Sequence, residues 1–273
     1  MSEIIHYPPQ AFPPTVASLR ADLFALGVAP DMTLLVHASF KAIAEWVIGG
    51  PQAMILALEG VLGSGGTLVM PTHSGDLSDP ADWQHPPVPE VWWELIRQEM
   101  PPFMPDLTVT REMGILAETF RKQNGVLRSS HPQTSFAAWG THRHFITTGH
   151  DLLSRMGEQS PLARIYDLGG HVLLLGVGHG NNSSLHLAEN RANFPGKTIE
   201  RNGAPILVEG LRRWVKYEEM SISDADFVQI GADFAQTTGL VRQGKVGQAA
   251  ALLMPQRPLV DFAVKWMEQH RRG

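Results

Sequence analysis

Residues 32–74 read MTLLVHASFKAIAEWVIGGPQAMILALEGVLGSGGTLVMPTHS, and the punctuation of this stretch decides the fold. Two apolar runs, MTLLVHAS (32–39) and TLVMPT (67–72), are bounded by polar and glycine residues and are too short for helices, so they predict buried strands. Between them Gly49-Gly50-Pro51 opens a helix over Gln52–Leu62, with proline near the first turn, and Gly63-Ser64-Gly65-Gly66 closes it. Strand, helix, strand in that order implies a parallel pair with a right-handed crossover. Both strands end in polar clusters: His37, Ser39 and Lys41 after the first, Pro71-Thr72-His73-Ser74 after the second. Ligands of parallel sheets bind at the carboxyl ends of the strands, where both clusters fall.

Working outward, residues 1–15 are proline-rich and predict an extended lead-in, and Thr15–Leu26 has apolar residues at helical spacing stopped by Gly27. Residues 75–110 carry Asp76, Asp79 and Asp82 among several prolines, then a Trp-rich helix over Val91–Met100. This is a long excursion between core elements, of a kind that is usually functional or partner-facing. A helix is expected over Arg111–Arg121, a strand over Thr134–Gly140, a helix around His142–His150, and another from the Ser160-Pro161 start to Gly169-Gly170. His171–Val177 (HVLLLGV) is the strongest strand signal. It runs through Gly178-His179-Gly180-Asn181-Asn182 into a helix that begins near Ser183. A hairpin over 204–220, a helix bearing Phe227 and Phe234, and an amphipathic helix over 258–270 complete the chain. The predicted class is α/β: a central, mostly parallel sheet flanked by helices, in one domain over 1–273, with an inserted helical and loop lobe at about 75–110.

Composition narrows the chemistry. The 273 residues include no cysteine, which excludes disulfides, thiolate zinc sites, iron–sulfur clusters and a cysteine nucleophile. The formal net charge of −5 argues against a nucleic-acid binder and suits a cationic ligand. No apolar run approaches the ~20 residues of a membrane span, and MSEIIHYPPQ has no signal-peptide pattern, so a cytoplasmic protein with no membrane partner is expected.

The sharpest local feature is Ser183-Ser184-Leu185-His186-Leu187-Ala188-Glu189. His186 and Glu189 are three apart and share one helix face, where a carboxylate raises the basicity of an imidazole and orients it as a general base. The competing reading is an ordinary helix-surface pair. Gly176-x-Gly178-x-Gly180 lacks the third glycine of a dinucleotide fingerprint, since Asn181 follows, but its backbone amides can hold an anion or oxyanion. His37, Ser39 and Lys41 offer donors for phosphate, or else form a strand-end turn with a solvated lysine. Arg128-Ser129-Ser130-His131-Pro132, with Arg111 and Arg121, supplies candidate diphosphate contacts, set against arginines in surface ion pairs. Ser39 and Lys41 have the wrong spacing for a serine–lysine nucleophile, and no G-x-S-x-G elbow occurs. No H-x-x-x-H or H-E-x-x-H exists, and His142 and His144 point apart on a helix, so no metal is expected.

A series of segments in order resembles the aminoglycoside N3-acetyltransferase family, the antibiotic N-acetyltransferases distinct from the GNAT fold. The series is LLVHASFKAI, GTLVMPTHS, DLSDPADWQHPPVPEVWWELIRQEMPPF, TREMGILAETFRKQNGVLRSSHPQTSFAAWG, GEQSPLARIYDLGGHVLLLGVG, NNSSLHLAEN, GKVGQAA and LVDFAVKWM, over about residues 30–265. The resemblance implies acetyl-coenzyme A as co-substrate and His186 and Glu189 as the catalytic pair. Ser183 stands where the family often has threonine, and it keeps the hydroxyl. His37, Ser39, Lys41, Pro71 and Thr72, and more weakly Arg111 and Ser130, are implied on the coenzyme side. An aminoglycoside is a polycation, so Asp76, Asp79, Asp82 and Glu118 are the expected substrate-side contacts, unless the acidic loop is only a solvated turn. With no cysteine to carry an acyl group, direct transfer in a ternary complex is the expected route. Two other readings stay open: an N-acetyltransferase of the same fold acting on another small amine, and a non-catalytic aminoglycoside-binding protein. Either a monomer or a homodimer is compatible with the chain.

Overall fold

The computed structural model describes residues 12–272. The expected lead-in over 1–15 lies outside the described residues as far as residue 11. From residue 12 the chain runs into α1 (Val16–Leu26), which starts in a capping box between Thr15 and Ser18 and stops at Gly27 with φ 105°. Then follow β1 (Thr33–Ala38), the short α2 (Phe40–Ile43), α3 (Gly50–Leu62) and β2 (Thr67–Pro71). The excursion after β2 contains α4 (Trp93–Glu99), and α5 (Gly114–Phe120) follows it. Next come β3 (Leu127–Arg128), β4 (Phe136–Gly140), α6 (Arg143–Thr147), α7 (Pro161–Asp167), β5 (His171–Leu175) and α8 (Ser184–Arg191). The chain ends with β6 (Ile199–Val208), β7 (Leu211–Met220), α9 (Phe227–Thr238), β8 (Arg242–Val246), β9 (Ala249–Pro255) and α10 (Gln256–His270).

Seven strands form one sheet in the order β3-β4-β2-β1-β5-β9-β8. β1 pairs in parallel with β2 and β5, placing Leu34 opposite Leu68 and Leu35 opposite Val172, as the strand–helix–strand pattern predicted. The parallel pairing is confined to these three central strands. The flanks β4, β3, β9 and β8 are antiparallel, so the sheet is mixed. Side chains alternate between two cores. Leu34, Val36, Leu68, Met70 and Leu173 pack against Leu19, Leu23, Met54 and Leu58 of α1 and α3. Leu35, Val69, Val172 and Leu174 face Leu162, Leu187, Phe227, Phe234 and Leu259 of α7, α8, α9 and α10. Each fully buried leucine of this kind contributes about 2 kcal/mol relative to exposure, and burial on both faces explains why these strands read as unbroken apolar runs.

Several boundaries move. The helix expected around 142–150 is only Arg143–Thr147, that over 111–121 begins at Gly114, and the strand expected from Thr134 begins at Phe136. The 204–220 hairpin starts earlier, at Ile199, and forms a two-stranded unit of its own. The β8–β9 hairpin has no counterpart in the expected elements. β8 reads RQGKV and is exposed along most of its length, as edge strands often are, and it carries no apolar alternation.

Gly176 ends β5 with φ +66°, and a Cβ there would stand 2.4 Å from the Ala42 Cβ and 3.3 Å from the Ser39 carbonyl oxygen. This glycine lets the chain turn sharply from β5 toward α8 while α2 passes close by. Gly176→Ala is expected to cost about 2 kcal/mol or more, through strain and overlap together. Urea unfolding monitored by circular dichroism reads the loss as a lower midpoint, and an unchanged midpoint would refute the close approach.

Candidate active site

A cleft of about 710 Å³ opens at the carboxyl ends of β1, β2 and β5. His37 closes β1, and Pro71 and His73 end β2. The Val177–Ser183 turn and His186 follow β5, so the three parallel strands deliver their polar ends to one place. The facing wall comes from Asp82, Glu112 and Met113, from Arg155, and from Glu200, Arg201 and Asn202 of β6.

The turn after β5 sets His186. A single 3₁₀ turn (His179–Asn181) brings Asn182 to the head of α8, where its Oδ1 accepts the Ser184 backbone N–H at 3.2 Å. The His179 ring packs so closely on Gly231 that a Cβ there would overlap it, which anchors the turn to α9. On α8, His186 Nδ1 lies 2.9 Å from Glu189 Oε2. A carboxylate only accepts, so Nδ1 carries the proton and Nε2 is left as the bare acceptor. The ring leans on Phe227, with centroids 4.7 Å apart. Glu189 sits behind the imidazole, 2% exposed, and does not line the cleft. Its other oxygen accepts Arg271 Nη1 at 2.5 Å and the Ser223 backbone N–H at 3.0 Å.

Four further histidines nearby are held uncharged. Burial lowers His37 to about 3, helped by the nearby His186. Burial lowers His73 to about 3 as well, with His37, His186 and Arg155 adding to the effect. His131 falls well below its ordinary value through burial and the neighbouring His150 and Arg155, and its Nδ1 accepts the Gln133 and Thr134 backbone N–H groups at 3.2 and 3.1 Å. His150 is lowered to about 4, again chiefly by burial, with Nδ1 3.0 Å from Ser129 Oγ and Nε2 2.9 Å from the Arg155 carbonyl. On the opposite wall Arg155 Nη1 reaches Glu200 Oε1 at 2.6 Å and Glu219 Oε1 at 3.3 Å, and burial pushes the Glu219 carboxyl up. Asp82 is also raised, by burial and then by the charges of Asp79 and Glu200.

Of the residues singled out from sequence, His37, Pro71, Asp82, Ser183 and His186 line the cleft, as do His73 and the Gly180, Asn181 and Asn182 turn. The others do not. Ser39 heads α2 with its N–H on the Leu175 carbonyl, and Lys41 is solvent-exposed. Thr72 is buried with Oγ1 3.3 Å from Ser135 Oγ, and Ser130 Oγ donates to the His150 carbonyl at 3.2 Å. Arg111 pairs with Asp76, and Arg97 pairs with Asp79. Glu118 accepts from Arg121, Lys122 and Thr110; burial works to raise its pKa, but these donors hold it well below the usual carboxylate range. Arg128 spends all five N–H groups on the Thr72, Pro105 and Thr108 carbonyls and the Ser74 and Ser135 hydroxyls, so it ties the excursion to the sheet. Arg155, Glu200, Asn202, Glu219 and Arg271 went unnoticed in the sequence. Each acquires its role only through a partner more than ten residues away. Among the described residues, no three His, Cys, Asp or Glu side chains are grouped to hold a metal ion, and no helix is long and apolar enough to cross a membrane.

Comparison with known proteins bears on this geometry. The model of the family described as aminoglycoside 3-N-acetyltransferase matches residues 35–268. The chain is 44% identical over 256 residues to the SPbeta prophage-derived aminoglycoside N(3')-acetyltransferase-like protein YokD of Bacillus subtilis (strain 168), covering 93% of each. The crystal structure of YokD superposes with a TM-score of 0.92 at 43% identity, over 95% of each chain. A binary complex of AAC-IIIb with CoASH matches with a TM-score of 0.83 at 33% identity, over 94% of this chain and 97% of that one. AAC-VIa bound to sisomicin matches with a TM-score of 0.86 at 27% identity, over 96% and 100%.

The buried imidazoles also govern the response to acid. In the unfolded chain a histidine titrates near its ordinary value of about 6.5, whereas in the folded protein His37 and His73 resist protonation down to about 3 and His150 to about 4. Between those values the unfolded state binds more protons. Stability is therefore complete above about pH 6.5 and falls below it, by roughly 1 kcal/mol per pH unit for each such histidine. Urea midpoints are expected to drop steeply between about pH 7 and pH 5. A midpoint that stays flat across that interval would show that these rings are not held neutral.

Proposed function

This chain belongs to the aminoglycoside 3-N-acetyltransferase family, and on that footing we propose that it transfers acetyl from acetyl-coenzyme A to the 3-amino group of 2-deoxystreptamine aminoglycosides, directly, with His186 as general base. The observation that carries the reading is the His186–Glu189 pair: an imidazole at the cleft, its Nδ1–H bonded at 2.9 Å to a buried carboxylate. The names of the similar proteins support the substrate classes, since one is bound to CoASH and another to sisomicin.

The chemistry follows from the groups present. An ammonium has no lone pair, so the acceptor first gives one proton to solvent and reacts as the neutral amine. As that amine adds to the thioester carbonyl carbon, its nitrogen becomes cationic and passes a second proton to His186 Nε2, and the imidazolium that forms is matched by Glu189. The tetrahedral oxyanion is met by backbone amides of the Gly178–Asn181 turn or by the Ser183 hydroxyl, which lies at the head of α8. Collapse breaks the C–S bond, and the departing thiolate recovers the proton from His186. The products are the amide and free coenzyme A, with no acyl-enzyme.

His37 and Pro71 are assigned to the coenzyme side, and Asp82 to the ammonium groups of the acceptor. Asp82 lines the cleft, where a polycation meets its charge. The neutral state of His37 and His73 fits this role, because charged imidazoles there would repel the incoming amine. Asp79 and Glu118 are given no substrate role, since each is already satisfied by arginine.

Thiol release from acetyl-coenzyme A with a panel of amines tests the assignment. The expected result is turnover with 2-deoxystreptamine aminoglycosides and a loss of about 100-fold or more in His186→Ala, with intersecting initial-velocity lines. Turnover with other amines alone would move the substrate class, release with none would favour a binding protein, and parallel lines would demand an acyl-enzyme.

A further inference from the structure

The carboxylate behind His186 is held from a distant point of the chain. Glu189 Oε2 faces the imidazole, and Oε1 accepts Arg271 Nη1 and the Ser223 N–H. Arg271 stands just past the end of α10, 82 residues from Glu189 in sequence, with its side chain 15% exposed. Its Nε and Nη2 fork onto the two oxygens of Asp226 at 2.7 Å each, and Nη2 also donates to the Ser223 carbonyl at 3.1 Å. The guanidinium carbon lies 4.9 Å from the Phe194 ring centroid. Asp226 immediately precedes α9, whose first residue, Phe227, packs on the His186 ring. One side chain thus ties α8, the 221–226 loop, the start of α9 and the end of α10 together behind the imidazole.

We propose that Arg271 is a positioning residue that tunes the base: acting through Glu189, it fixes the carboxylate and balances its charge, so that His186 stays neutral and able to accept a proton near neutral pH. This rests on the reading of His186 as the base given above.

The argument is one of competing cations. A carboxylate this deeply buried must be compensated. Without the guanidinium, Glu189 keeps one backbone N–H and the imidazole, and the nearest remedy is a proton on His186. An imidazolium cannot act as a base. The other groups do not substitute for Arg271. His37 at the end of β1 and His73 after β2 face His186 uncharged. Lys197 spends its ammonium on the Asn190 carbonyl at 2.8 Å, and Glu268 accepts the Asn193 N–H at 2.9 Å. Asp226 adds negative charge. Counting Glu189, Asp226 and Glu268 against Arg271 and Lys197, the group carries one negative charge in excess with the arginine in place and two without it.

A histidine-ring NMR titration of the ligand-free full chain reads this directly, with the His186 signal assigned by its absence in His186→Ala. In Arg271→Met the His186 pKa is expected to rise by about one unit or more. The acidic limb of kcat/KM, measured with acetyl-coenzyme A and sisomicin, should move up in step, with about a tenfold loss near neutral pH. Arg271→Lys, which keeps the charge but not the fork, should shift both in the same direction by less, and it decides the matter if the methionine variant does not fold. Millimolar guanidinium chloride should move the limb of Arg271→Ala back toward the wild-type position. A titration and a limb unchanged in Arg271→Met and Arg271→Lys overturn the proposal. Wild-type activity in His186→Ala overturns instead the reading on which it rests.

Discussion

Parallel pairing of β2, β1 and β5 is the constraint from which the rest follows. Strands buried on both faces can carry polar side chains only where they emerge from the sheet, and three parallel strands emerge on the same side. His37, His73 and the turn that leads to His186 are brought together by this rule and not by proximity in sequence. Antiparallel neighbours on both flanks complete the sheet, and β4 and β9 begin beside the same edge, with Phe136 opposite Pro71 and Ala251 opposite Leu175.

Burial then dictates protonation. Burial disfavours the charged form, so His37, His73, His131 and His150 are neutral rings, and of these His131 and His150 make ring hydrogen bonds. His131 shows the structural use of such a ring: its Nδ1 closes two backbone N–H groups in the turn before β4. His186 differs in having a carboxylate at its back and the cleft at its front. The same residue type thus meets two environments, one sealed by burial and one backed by a carboxylate and open to the cleft.

The readable part of the sequence was the part with short-range order. MTLLVHAS, TLVMPT and HVLLLGV announced the central strands because burial on both faces leaves no polar residue inside them, and the three-residue spacing of His186 and Glu189 announced their shared face. Where the partner lies far away the sequence is silent. Nothing local marks RQGKV as an edge strand, or Arg271 as the ligand of a carboxylate 82 residues earlier. Asp79 is a case of the same kind, since its partner Arg97 stands 18 residues on. Glu118 differs, because Arg121 and Lys122 pair with it at spacings of three and four that the sequence displays.

The β6–β7 hairpin pairs only with itself and shares no strand register with the seven-stranded sheet. It meets the rest of the molecule through discrete ties, among them Gln133 to Asn202, Arg155 to Glu200 and Glu219, the Phe103 N–H to the Pro205 carbonyl, and Arg212 to the Arg97 and Met100 carbonyls. The cleft wall bearing Glu200 and Asn202 is consequently detachable, in a physical sense, from the wall bearing His186. No residue of this ribbon belongs to the seven-stranded sheet, to either core or to the brace on Glu189. Under the proposed function, the wall beside the acceptor and the groups that would handle its proton are carried on separate pieces of chain, so that one can vary while the other is kept.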